Sequence, residues 1–417
     1  MVRNPEIVRS VRTPLVVFVF VVLVLSISFA NAESCFELDL PLVFDTSSNP
    51  MPNPTNPKAH GIQVFLWNGV PHLVINTGND LQLSDVSDPH NPTNIQDSDF
   101  GVLPFGDRDY NLYRFSVCDG CRYGTTDYDS AGSVLFDLGS GSSPAFGSFD
   151  HYTTAGVGRM TFKHDGQQYL VADGFGASCG SFASLHEFNG TGLADLPFLA
   201  CLTGPAAGEF HPTGGTYVPG PGSDGFLYLS DGVASIHVFR LVDGPTLSVE
   251  YLGAPIQASH FKGEGWAVDL QTMLFAGVRG GVVRLYDIAD PADPQLLSEW
   301  SVADALPAAN LVAMVWPRLW VGWSASTDAR SFDIENPTNP REIDRGFWAD
   351  CHPWNSFSSS IGGDAEFTPD GLYLILSRFS VVERLMVDPA CPGLVFSDGF
   401  ECGFSSPWTD EFPPAIP

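Results

Sequence analysis

The chain has 417 residues, 44% of them hydrophobic and 16% charged, with 42 Gly, 33 Pro and 8 Cys; this balance excludes a collagen, a coiled coil and a disordered tail protein. Nineteen Lys plus Arg against 48 Asp plus Glu give a formal net charge of -29. A surface of that sign repels phosphate backbones and anionic lipid, so no nucleic-acid partner is expected.

The first 32 residues carry Arg3, Arg9 and Arg12, then an apolar run from Leu15 to Phe29, then Ala30-Asn31-Ala32. This is the pattern of a secretory signal cleaved near Ala32; the run is shorter than the roughly 20 residues that span a bilayer. Its removal takes away three basic residues and one acidic residue, leaving 16 against 47. Glu33 argues against a lipid on Cys35. No later segment is long and apolar enough to span a membrane, so the mature chain is expected outside the cytoplasm, in the periplasm, on the cell surface or free outside. Residues 33–59 form a lead-in rich in Pro and Asn, 60–393 a repetitive region and 394–417 a tail.

From residue 60 onward helical periodicity is almost absent. Short apolar runs alternate with Gly/Asp turns, an all-β signature. The clearest units begin at His72, Met273 and Leu319, each with a strand, a polar turn, a strand ending in Asp plus a β-branched residue, then Asp/Asn-Pro-x-x-Pro and another strand. Asp and Asn side chains close such turns, and Pro presets the backbone angle and removes a donor. With Asp85 as ruler, further copies fall at Asp137, Glu187, Arg240, Asp287, Asp333 and Val387, separated by 52, 50, 53, 47, 46 and 54 residues. That period predicts a β-propeller, seven blades of four antiparallel strands; two tandem β-sandwiches are the competing arrangement. Inner strands are expected to open at Gly61, Asn111, Gly158, Gly215, Gly265, Asn310 and Gly363, where small residues suit a crowded axis.

The segments DVSDPHNP (Asp85 to Pro92), DIADPADP (Asp287 to Pro294) and DIENPTNP (Asp333 to Pro340) resemble the LVIVD repeat, a propeller-type repeat of secreted and cell-surface bacterial proteins. The resemblance implies a propeller and no catalytic residues; the units between Asn111 and Pro255 depart from the pattern. LVFSDGFECGFSSPW, from Leu394 to Trp408, resembles the short DGFE-x-G tail of exported Gram-negative proteins, with Phe404 in place of the usual polar residue.

All eight cysteines follow the cleavage point, so disulfides are the expectation. Cys179 and Cys201 are symmetric about Asn189-Gly190 and should face each other across a hairpin. Cys118-Asp119-Gly120-Cys121 reads as a tight hairpin staple, or else as a redox Cys-x-x-Cys, which wants a helix N-terminus not signalled here. Cys391 with Cys402 follows by proximity and Cys35 with Cys351 by elimination.

Gly176-Ala177-Ser178-Cys179-Gly180 has the Gly-x-Ser-x-Gly form of a hydrolase elbow, but the following SFASLHEF reads as a strand and not the required helix. His60, His151, His211, His260 and His352 approach predicted inner-strand openings and, with Glu264 and Asp364, are the candidate ligand-binding residues at an axial mouth; no catalytic residue is identified. Converging imidazoles there suit a transition metal, although no His-x-x-x-His spacing occurs. Asp107-Arg108-Asp109-Tyr110-Asn111 and Asp127-Tyr128-Asp129 are half of a calcium loop, without the Gly and the closing Glu. Trp316, Trp320 and Trp323 read as packing residues before sugar-stacking ones, and Asn189-Gly190-Thr191 fits a glycosylation sequon. The expected function is a binding scaffold for an extracellular protein or glycan, with no required cofactor; the alternative is a metal-assisted enzyme in the axial channel.

Overall fold

Asn68-Gly69, with φ of 52° and 80°, and Asp165-Gly166, with 49° and 77°, sit in left-handed dihedrals between successive strands. Two-residue turns of this kind match the twist of an antiparallel hairpin, which is why Asn-Gly and Asp-Gly recur at these corners. The computed structural model describes residues 36–38, 44–45 and most of 62–387; the longer stretches outside the description within that span are 100–114, 153–157, 174–181, 190–195, 205–211, 259–264, 323–327 and 348–363. The signal-like residues 1–32, the tail 394–417, Cys35, Cys179, Cys351, Cys391 and Cys402 lie outside the described residues.

The described strands are, in chain order, β1 (Phe36–Leu38), β2 (Phe44–Asp45), β3 (Ile62–Trp67), β4 (Val70–Asn76), β5 (Asp80–Asp85), β6 (Thr93–Asp99), β7 (Phe115–Ser116), β8 (Tyr123–Tyr128), β9 (Gly132–Asp137) and β10 (Ser148–Tyr152). Then come β11 (Gly158–His164), β12 (Gln167–Asp173), β13 (Ala183–Phe188), β14 (Phe198–Leu202), β15 (Gly214–Pro219), β16 (Gly225–Ser230), β17 (Ser235–Val242), β18 (Ser248–Gln257), β19 (Trp266–Asp269) and β20 (Leu274–Arg279). The last are β21 (Val282–Asp287), β22 (Gln295–Ser301), β23 (Leu311–Val315), β24 (Arg318–Gly322), β25 (Asp328–Asp333), β26 (Arg341–Phe347), β27 (Asp364–Phe367), β28 (Tyr373–Arg378) and β29 (Val381–Val387).

Among the described residues these strands form an all-β propeller arrangement of antiparallel meanders: β3–β6, β7–β10, β11–β14, β15–β18, β19–β22 and β23–β26 each make a four-stranded sheet. The remaining sheet is completed from the other end of the chain. β27, β28 and β29 pair in sequence, and β1 and β2 both add to β29, with Phe36 opposite Val387 and Phe44 opposite Val382. No described helix is long and apolar enough to cross a membrane.

Apolar side chains face the neighbouring sheet and not a common centre. Phe65, Val74 and Leu83 pack on Val134 and Phe136; Met160, Phe162 and Leu185 on Leu227 and Phe239; Tyr228 and Ile256 on Trp266 and Phe275; Leu285 on Val312 and Phe332; Trp320 on Ala365 and Phe367. Each sheet therefore hides its faces only when flanked on both sides, as expected for stacked repeat units.

The turn after the third strand explains the ruler residues, all of which fall on third strands: Asp85, Asp137, Glu187, Arg240, Asp287, Asp333 and Val387. The carboxylates of Asp85, Asp137, Asp287 and Asp333 accept the N–H of Ser87 (2.8 Å), Gly139 (2.7 Å), Ala289 (2.8 Å) and Glu335 (2.9 Å). The next residue, Val86, Leu138, Ile288 or Ile334, is buried and donates its N–H back to the start of the second strand, to Pro71, Arg122, Met273 or Pro317. The prolines dock the turn on the preceding sheet: Tyr228 Oη donates to the Pro291 carbonyl at 2.8 Å and Ser298 Oγ to that of Pro337 at 2.7 Å. The second prolines, Pro92, Pro294 and Pro340, stand directly before the outer strands β6, β22 and β26.

Asp333 gives this turn a pH signature. The Glu335 amide, opposed by partial burial and aided by Arg341 and Arg318, holds its carboxyl below the ordinary 3.8. A folded-state pKa below the unfolded one stabilises the fold above the unfolded value, and that contribution is lost as pH falls through the folded value. Asp333→Ala is expected to cost about 1 kcal/mol at neutral pH, the net worth of one such hydrogen bond. Urea titrations at pH 7 and pH 3 should show the difference between wild type and variant shrinking in acid.

Cys118 and Cys121 are joined, and Cys121 N–H bonds the Cys118 carbonyl at 2.9 Å, closing a turn with Gly120 at φ 63° between β7 and β8. The bridge staples the turn between two strands and lies at no helix N-terminus. Cys201, opposite Ser184 on β14, is also disulfide-bonded. The β13–β14 hairpin corrects the expected symmetry: Ala183 faces Leu202, which centres it between residues 192 and 193 rather than on Gly190. Of the tryptophans, Trp320 is buried at 2% exposure on β24, and Trp316 is exposed; Trp323 lies outside the described residues.

Candidate functional site

An inner strand uses one edge to pair with its own sheet, and the other edge faces the axis with unspent N–H and C=O groups. Side chains from the next sheet take up part of that edge. Gln63 on β3 makes two bonds with Val117, Nε2 to O and N to Oε1, both 2.9 Å. Asp119 Oδ1 accepts Leu66 N–H at 2.8 Å, and Glu366 Oε2 on β27 accepts Val64 N–H at 2.7 Å. Ser116 Oγ accepts Thr161 N–H at 2.9 Å, and Thr161 Oγ1 returns a bond to the Ser116 carbonyl at 3.1 Å. Asp269 bridges Gln271 N–H (2.9 Å) and Trp316 N–H (2.8 Å).

These inner strands enclose a cavity of about 460 Å³, whose polar wall includes Asp119, Lys163, Thr216, Tyr217, Asp269 and Glu366. Its charged lining is three carboxylates and one ammonium, and Lys163 Nζ donates to the Gly120 carbonyl. The lining comes from β3, β11, β15, β19, β23 and β27, from the second or a later residue of each strand.

Of the expected mouth residues, His151 and Asp364 fall among the described ones. Asp364 does open inner strand β27, opposite Ser377, but the lining starts one residue later at Ala365. His151 lies on β10, opposite Val134; β10 is the outermost strand of its sheet and precedes the opening of β11 at Gly158. His60, His211, His260, Glu264 and His352 lie outside the described residues, as do Ser178 and Asp107 to Asn111. Asp127 and Tyr128 are described, and Asp129 lies outside the described residues. The first two pair with Ser133 and Gly132 as the end of β8, because Tyr123, Thr125 and Thr126 carry extended backbone through them.

Among the described residues, the histidines that contact polar groups lie on strands. His72 Nδ1 lies 2.9 Å from the Val70 carbonyl, and His186 Nε2 lies 3.0 Å from Ser184 Oγ, with burial pushing the His186 pKa down. His237 contacts Asp231 at 3.3 Å and Tyr251 Oη at 3.1 Å. His164 ends β11 between two sheets: Nε2 is 3.0 Å from Asp243 Oδ1, just past β17, and Nδ1 is 3.0 Å from Tyr217 Oη on β15. Its side chain is 2% exposed and that of Asp243 36%. The His164 hydrogen bond is the main cause holding the Asp243 carboxyl low, while burial, then Asp165 and Asp243, push the Tyr217 phenol up. One donor atom each from His164, Asp165 and Asp243 lies within 4.8 Å of the others. The only sequence signal for this group is a histidine directly before an Asp-Gly turn; Asp243 is far away in the chain.

No protein-family model matches the chain, and no curated protein matches it in sequence. Solved structures do resemble it in shape. A candidate 6-phosphogluconolactonase of Bacteroides uniformis superposes with a TM-score of 0.52 at 13% identity, over 80% of this chain and 93% of its own. A second of that description, from Bacteroides fragilis, gives 0.50 at 12% identity, over 82% and 94%. At such identities the likeness is one of fold.

Proposed function

We propose that the protein is an exported binding scaffold, a closed ring of seven blades that seats a small neutral or cationic ligand, such as a glycan fragment, in its axial cavity. The carrying observation is that cavity, of about 460 Å³, with three carboxylates against one ammonium in its wall. Asp119, Asp269 and Glu366 are each tied to main-chain N–H groups. Tethers of this kind build a stiff, net-negative cup and leave Thr216 and Tyr217 as polar contacts; a general base instead needs a carboxylate aimed at substrate. The seven-blade count is supported by the grouping of strands and the spacing of the Asp85-type turns, and export by the leader-like start and the LVIVD-like segments.

The name of the Bacteroides proteins suggests a phosphorylated sugar lactone. Net-negative lining disfavours that anion. Thermal unfolding with neutral oligosaccharides, a polyamine and 6-phosphogluconate separates the two readings. A ligand at 100 times its Kd adds about 2.7 kcal/mol of stability. The expected result is a raised midpoint with a saccharide or polyamine, abolished by Thr216→Trp, which fills the cavity. A shift with 6-phosphogluconate alone, or turnover of its lactone, overturns the proposal.

A further inference from the structure

We propose that His164, Asp165 and Asp243 bind a divalent transition-metal ion at the junction of two sheets. β11 ends in His164, the Asp165-Gly166 turn follows, and Asp243 reaches across from the end of β17 in the next sheet. One nitrogen and two carboxylate oxygens lie within 4.8 Å of one another, close enough that a small side-chain movement brings all three to bonds of about 2.0–2.2 Å from one ion. A mixed nitrogen and oxygen donor set suits Zn²⁺, Mn²⁺ or Fe²⁺; Ca²⁺ takes oxygen alone. Three protein ligands leave a further position for water, and both carboxylates are on the exposed side, where an ion enters from solvent.

Two features beyond proximity support an ion. The first is how the imidazole is held. Its Nδ1 lies against Tyr217 Oη at 3.0 Å, which turns Nε2 toward the carboxylates; metal-ligating histidines are oriented in this way through their second nitrogen. Gly225 closes over the pair, since a Cβ there would stand 2.9 Å from His164 Nδ1 and 2.6 Å from the Tyr217 ring. The second is charge. Two carboxylates converge on one imidazole nitrogen, while Lys163, next in the chain, is directed to the Gly120 carbonyl. Like charges this close repel, and a dication between them neutralises the pair. Tyr217 also lines the axial cavity, so the ion stands one side chain away from it. Metal binding here does not depend on what that cavity holds.

The test uses the untagged full-length protein after its signal is removed, stripped with chelator and titrated with Co²⁺ by visible absorption and with Zn²⁺ by calorimetry. The expected result is one equivalent bound, with d–d bands of a low-coordinate site. Asp243→Asn and Asp165→Asn should each weaken binding at least tenfold, and Asn keeps the left-handed turn at position 165. Tyr217→Phe should weaken it by about tenfold, the usual effect of removing a partner of a ligating histidine. His164→Gln should abolish the bands; because that side chain is buried, the deciding variants are the two exposed Asp substitutions, with unchanged circular dichroism. Absence of stoichiometric binding, or binding that Asp243→Asn and Asp165→Asn leave unchanged, overturns the proposal.

Discussion

Deletion of residues 33–45 is expected to lower the stability of the protein by about 5 kcal/mol and to drive it into oligomers. Five residue pairs join β1 and β2 to β29, from Phe36 opposite Val387 to Asp45 opposite Val381. At about 1 kcal/mol net per backbone hydrogen bond, their loss gives the stated figure. It also bares the whole edge of β29, and an open edge recruits another chain. Urea unfolding gives the energy, and light scattering the association state. A synthetic peptide of residues 33–45 should restore the midpoint and the monomer by adding back the missing strands. A deletion that unfolds at the wild-type midpoint would show that these strands do not close the structure.

Trp266→Ala should destabilise by about 3–5 kcal/mol, the range for emptying a buried aromatic site. Trp266 is fully buried and stacks on Phe275, with ring centroids 5.5 Å apart and planes 17° from parallel. The same cluster holds Val218, Phe226 and Tyr228 of the preceding sheet, so the void opens between two sheets rather than inside one. Neighbours that belong to separate sheets are poorly placed to collapse together, which puts the cost toward the upper end. Trp266→Phe retains a stacking ring and should recover more than half of the loss in the same urea experiment. An alanine variant within 1 kcal/mol of wild type contradicts the claim that this junction is close-packed.

Strand positions are legible in the sequence where local chemistry sets them. Gly158 opens β11; Gly61, Gly265, Asn310 and Gly363 stand one residue before β3, β19, β23 and β27; and β15 begins at Gly214, beside Gly215. Gly215 shows why a small residue is needed, since a Cβ would meet Leu229, the Tyr228 carbonyl and Met160 of the adjacent sheet within 2.8 Å. The Asp-β-branched-x-Asp/Asn-Pro pattern is legible for the same reason: cap, buried anchor and proline all act within a few residues. Asn111 falls four residues short of β7, in a unit that lacks the pattern.

The sites are far less legible. Ser116 meeting Thr161, or His164 meeting Asp243, depends on how sheets stack, and no spacing rule along the chain encodes it. His164, His186 and His237 look like ordinary members of alternating strands in sequence. His151 looks like a mouth residue because it precedes Gly158, yet a change of sheet separates them: one lies on an outer strand and the other starts an inner one.

The pairing of β1 with β29 also dictates an order of events. Phe36 leaves the ribosome long before Val387, so the opening segment must wait for its partner strand while the intervening modules are made. Each module is able to form its own hairpins before the latch is made, so the latch comes last. A chain truncated before Val381 is thus left with a leading segment whose partner strand is missing.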